Sequence, residues 1–63
     1  MNLRSFLNLC DDWNGLMVNV TDSQGLVVKG RPEVVLSYQG TYLRIVVGFT
    51  ICDNELFVRV KNY

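Results

Sequence analysis

Cys10 and Cys52 are the only thiols in this sequence, and a reactive thiolate needs a base or a cation beside it. The chain contains no His, which removes the usual general base and the usual metal ligand together. Two cysteines far apart do not make a zinc site, which needs about four Cys or His ligands. Asp11 and Asp12 are adjacent carboxylates, but neighbours in a turn point apart, and a divalent cation wants more oxygens at set spacing. Gly25, Gly30 and Gly40 stand singly beside turns or helix ends. They lack the spacing and the Lys-Ser/Thr of a phosphate-binding loop. The expectation is a protein without catalytic residues, metal or cofactor.

Six Lys and Arg balance six Asp and Glu, so the formal charge is zero, and only 19% of the 63 residues are charged. Non-specific nucleic-acid affinity feeds on excess basic charge, and none is present. The 49% apolar share is too high for a disordered chain and predicts one small folded domain spanning residues 1–63. The longest strongly apolar run, Ile45 to Ile51, is well short of the roughly 20 residues of a membrane span. The N-terminus has no apolar stretch or cleavage site of the export type, so the expected setting is the cytoplasm, with reduced thiols and no membrane contact. In that setting the Asn19-Val20-Thr21 glycosylation pattern has no meaning.

The elements follow from periodicity. Leu3, Phe6, Leu7 and Cys10 form one helical stripe, with Asn2 as N-cap and Asp11 to Gly15 ending the helix. Trp13 is expected to cap the core. Leu16, Val18 and Val20 then alternate as a strand, and Asp22-Ser23-Gln24-Gly25 makes a hairpin turn with Gly in a left-handed conformation. That turn sets Val20 opposite Val28 and Asp22 opposite Leu26, which puts Leu16, Val18, Val20, Leu26 and Val28 on one face. Pro32 and Glu33 start a second, two-turn helix that ends near Gly40.

The final third reads as a second hairpin closed by Asp53-Asn54, both tolerant of the positive φ of a type I′ turn. Pairing Cys52 with Glu55 sets Ile51 against Leu56, Phe49 against Val58 and Val47 against Val60, an apolar face expected to be core. The other face carries Arg44, Val46, Phe57, Arg59, Lys61 and Tyr63. The fold class that accommodates all of this is α+β. It is a two-layer sandwich in αββαββ order, a four-stranded antiparallel sheet with two short helices on one face.

Leu3-Arg4-Ser5-Phe6-Leu7-Asn8-Leu9-Cys10-Asp11-Asp12, the first hairpin, Gly30-Arg31-Pro32-Glu33 and the final hairpin together resemble small accessory proteins of Gram-positive bacteria and their phages. The likeness runs along the whole chain. It implies a protein-binding role, including that of phage proteins which inhibit host defence systems such as CRISPR nucleases, and it supplies no functional residue of its own.

A helix-covered sheet leaves its other face wet, where large apolar groups next to Arg suggest a binding surface. Arg44, Val46, Phe57, Arg59, Lys61 and Tyr63 are therefore the candidate partner-binding residues, and a protein is the expected partner. Two alternatives share this surface. A core of this size gains from self-association, which predicts a homodimer. Phe and Tyr among basic residues on a sheet also resemble a platform for single-stranded nucleic acid, though three cations on a neutral body make a weak one.

Overall fold

A computed structural model describes residues 1–10 and 15–62 of the chain. The expectations attached to Asp11, Asp12, Trp13 and Tyr63 lie outside those residues.

Helix α1 (Leu3–Leu7) starts where the sequence signals it: Asn2 is extended, and its Oδ1 accepts the Ser5 N–H at 2.9 Å. Leu3 and Leu7 point inward and are fully buried. The first hairpin joins β1 (Met17–Asp22) to β2 (Gly25–Gly30), and Gly25 supplies the positive φ of 117° that its turn needs. Helix α2 (Pro32–Ser37) has Pro in its first turn and buries Pro32 and Val35. Gln39 and Gly40, at φ 41° and 76°, turn the chain into a short 3₁₀ segment (Thr41–Leu43). The second hairpin, β3 (Val46–Cys52) and β4 (Glu55–Val60), closes on Asp53 and Asn54 with φ of 52° and 63°, the type I′ geometry.

The strand order is β2-β1-β4-β3, and its two central strands, β1 and β4, run parallel. The expected all-antiparallel sheet is thus corrected to a mixed one. Each hairpin is antiparallel, but α2 carries the chain over the sheet, so the last strand lies beside the first in the same direction. Val18 pairs with Leu56 and Val20 with Val58 across that centre. On the opposite face, Asn19 donates from Nδ2 to Glu55 Oε1 (2.9 Å) and to the Leu56 carbonyl (3.3 Å), and Thr21 Oγ1 donates to the Val58 carbonyl (3.4 Å). Polar side chains therefore stitch the parallel pair that apolar side chains glue from the other side.

The core consists of Leu3, Leu7, Val18, Val20, Val35, Leu56, Val58 and Val60. Both helices feed this one cluster, so both cover the same face of the sheet.

Two bulges alter the expected faces. Asp22 pairs with Gly25 and not, as expected, with Leu26; Thr21 meets Leu26, and the extra residue, Val27, restores the expected Val20–Val28 pair while Leu26 is turned out to 63% exposure. In β3, Val46 pairs with Val60 and Gly48 with Arg59, which leaves Val47 as the skipped residue. Val46 consequently packs against the core, and Val47 is half exposed. Phe49 and Ile51 keep their expected partners, Val58 and Leu56, yet are 59% and 68% exposed instead of buried. The reason is coverage: α2 lies over β1 and β2, while five-residue α1 reaches β3 chiefly through Phe6, whose ring is 5.0 Å from that of Phe49.

Candidate protein-interaction surface

The wet side of the second hairpin differs from its expected composition. Arg44 is not on it. Its side chain is 4% exposed, and Nη2 donates to the Lys61 carbonyl at 2.8 Å and pairs with Asp22 Oδ2 at 3.2 Å. It ties the start of β3 to the ends of β4 and β1. Val46 is also removed, by the bulge that turns it inward. Lys61 is exposed beyond the end of β4. Of the six candidate residues, the outer face brings together Phe57 and Arg59, which line a shallow depression of about 320 Å³ with Thr21, Gly48 and Thr50. The guanidinium of Arg59 lies over Gly48, where a Cβ would come within 2.9 Å of Nη2. The absent side chain leaves that space to the cation.

Two carboxylates on this framework titrate low. The Gln24 N–H bonded to Asp22, and then Arg44, hold its carboxyl below the ordinary value of 3.8. The Asn19 amide, and then Lys29 at 3.4 Å, do the same for Glu55, whose ordinary value is 4.5. With Arg44 committed to Asp22 and Lys29 to Glu55, the outer face is poorly supplied with cations for a phosphate backbone.

The helix-covered side holds the feature that sequence reasoning missed. Phe6, Leu9, Cys10, Leu16, Phe49 and Ile51 wall an open groove of about 360 Å³, closed beneath by the buried Leu7 and Leu56. Its lining is apolar throughout. Leu9, 69% exposed, falls off the helical stripe of Leu3, Phe6, Leu7 and Cys10, and this was the available signal that apolar surface continues past the core.

The groove borders an open strand edge. The Leu3 N–H donates to the Arg44 carbonyl (2.8 Å) and the Val46 N–H to the Met1 carbonyl (2.9 Å), so the N-terminal segment covers the edge of β3 as far as Val46. Beyond it, among the described residues, β3 has no neighbour but β4. No residue from Val46 to Cys52 is charged, so the gatekeeping Lys or Pro of many edge strands is missing. Cys52 is exposed at the turn, Cys10 is half-buried in the groove wall, and neither forms a disulfide. No helix is long and apolar enough to cross a membrane among the described residues. Comparison with protein-family models, curated proteins and solved structures finds no match to this chain.

Proposed function

We propose that this chain is a non-enzymatic protein-interaction module, acting in the cytoplasm, whose contact element is β3 with the apolar groove beside it. One observation carries the reading: Val47, Phe49 and Ile51 are between 50% and 68% exposed on an uncharged strand with an open edge. Water-exposed apolar surface of this continuity marks contact sites, and an open edge adds backbone hydrogen bonds to it. Inhibition of a host-defence nuclease, the use implied by the sequence resemblance, would need only such a contact. Phe57 and Arg59 on the opposite face of the same hairpin are its flank.

The test is affinity capture from the native host with the wild-type chain and with Ile51→Lys and Phe49→Ser variants verified as folded by circular dichroism. The expected result is that both substitutions abolish capture, while Leu26→Ser on the far edge strand leaves it intact. Capture that survives both β3 substitutions refutes the reading.

A further inference from the structure

We propose that the open edge of β3 is completed by β3 of a second copy of this chain, the strands running antiparallel about a two-fold axis at Thr50. This rests on the reading of β3 as the contact element and names its occupant. The register follows from the turn. In a two-residue hairpin the residues flanking the loop exchange hydrogen bonds, so Cys52, Thr50 and Gly48 turn their peptide groups toward β4. Phe49 and Ile51 must then turn theirs outward, to the uncovered edge. Setting Phe49 opposite Ile51 of the partner subunit, and Ile51 opposite the partner subunit's Phe49, satisfies all of these groups with about four hydrogen bonds.

The side chains obey the same symmetry. Phe49 and Ile51 both stand on the helix-covered face, so each Phe49 ring lies against Ile51 of the partner subunit, and the two apolar grooves join across the seam. On the outer face Thr50 meets its own copy, a favourable cross-strand pair. Gly48 comes opposite Cys52 of the partner subunit, next to the partner's Asp53. The guanidinium that lies over Gly48 is thereby aimed at a carboxylate, so charge matches across the seam where Val46 to Cys52 contribute none. The register cannot slide. A shift of two residues toward the N-terminus would require Val47, the residue skipped at the bulge, to pair where the N-terminal segment already occupies the edge at Val46, and a shift the other way would set Phe49 against the turn residue Asp53 of the partner subunit.

The area is sufficient for a modest interface. Val47, Phe49, Ile51 and Leu9 are 50–69% exposed. At roughly 100 Å² apiece they offer about 400 Å² per copy, and the strand backbone and groove walls bring the total for two copies near the ~1,000 Å² of a specific contact. A Kd on the order of tens of micromolar fits an interface of that size.

Sedimentation velocity over a concentration series, joined with disulfide trapping, tests the pairing. The wild-type chain is expected to dimerise, Ile51→Lys to raise Kd at least tenfold, and Leu26→Ser on the far edge strand to leave it unchanged. In a Cys10→Ala/Cys52→Ser background, Thr50→Cys is expected to yield disulfide-linked dimers under mild oxidation. Facing residues of a non-hydrogen-bonded pair have Cα atoms about 4.5 Å apart, within disulfide reach. Ser23→Cys on the distant turn is expected to give none. Dimers that Ile51→Lys leaves intact, or Ser23→Cys linking as readily as Thr50→Cys, overturn the proposal. A wild-type chain that stays monomeric to about 1 mM while Ile51→Lys still abolishes partner capture overturns the second copy as occupant and leaves β3 as a contact for a different protein. A monomer whose capture is also indifferent to Ile51→Lys overturns both.

Discussion

Replacing Ile51 by Lys asks whether the apolar face of β3 is core or surface. Complete burial of an Ile side chain is worth about 1.5–3 kcal/mol. Ile51 is 68% exposed, so about a third of that, roughly 0.5–1 kcal/mol, is at stake in the monomer. The Lys stem can lie along the groove wall and recover part of it, so the expected loss is about 0.5 kcal/mol. Val58 is the control, since it is fully buried between β1 and β3. Truncating it to Ala loses apolar contact and leaves a cavity, together about 2–3 kcal/mol. In a domain this small each kcal/mol moves Tm by roughly 4–8 °C. Val58→Ala is therefore expected to melt at least 8 °C lower and Ile51→Lys at most about 5 °C lower. The assay is urea and thermal unfolding followed by far-ultraviolet circular dichroism at low micromolar concentration, where the monomer dominates. A loss above about 2 kcal/mol for Ile51→Lys, or equal losses for the two variants, would show Ile51 to be core and refute an exposed apolar face on β3.

Gly30→Ala and Gly48→Ala should differ, although neither position has a positive φ that demands Gly. A Cβ at Gly48 meets the mobile tip of Arg59, so Ala there is expected to be neutral or to stabilise by about 0.5 kcal/mol, whereas one at Gly30 sits 3.0–3.2 Å from Cγ1 and Cβ of Val34, in the first turn of α2, and is expected to cost about 1 kcal/mol, both by urea titration. Asp22 and Glu55 titrate below their ordinary values of 3.8 and 4.5 in the folded chain, so the unfolded chain takes up protons first as pH falls. Their stabilisation is complete above about pH 5.5 and is lost as pH drops through the folded values; Tm measured from pH 7 to 3 should be flat and then fall, with a shallower fall in Asp22→Asn and Glu55→Gln.

What the sequence disclosed is local. Asn2, Pro32, Gly25 and Asp53-Asn54 each specify a cap or turn within a few residues, and each appears in the structure at its expected place. The register at Phe49–Val58 follows from its turn, whereas Val20 reaches Val28 only through the bulge at Val27, because the first turn pairs Asp22 with Gly25. What stayed hidden depends on partners distant in sequence. Alternation within β1 and β4 is the same whether they run parallel or antiparallel, so no pattern of Val18, Val20, Leu56 and Val58 could reveal their direction. The bulges at Val27 and Val47 lie in uninterrupted Val runs, where shifting by one residue changes no hydropathy. Arg44 read as a surface cation because its partner, Asp22, comes from the other hairpin. Exposure of Phe49 depends on how far α1 extends over β3, which the stripe of Leu3, Phe6 and Leu7 does not state.

The parallel pairing of the first strand with the last has a consequence for how this fold assembles. Each hairpin with its helix is half a protein: Val18 and Val20 in one half find their cover on Leu56 and Val58 in the other. The Met1–Leu3 segment crosses back to the edge of β3, Arg44 reaches across to Asp22, and α2 lies over β1 and β2, so the halves clasp each other at several places besides the central seam. Neither half can settle first and act as a template, because the buried cluster is drawn from both of them. Order must therefore arrive in both at once, through a loop closure that spans the intervening helix, and a nick at Gly30–Arg31, between β2 and α2, would yield two pieces that are shapeless alone and structured together.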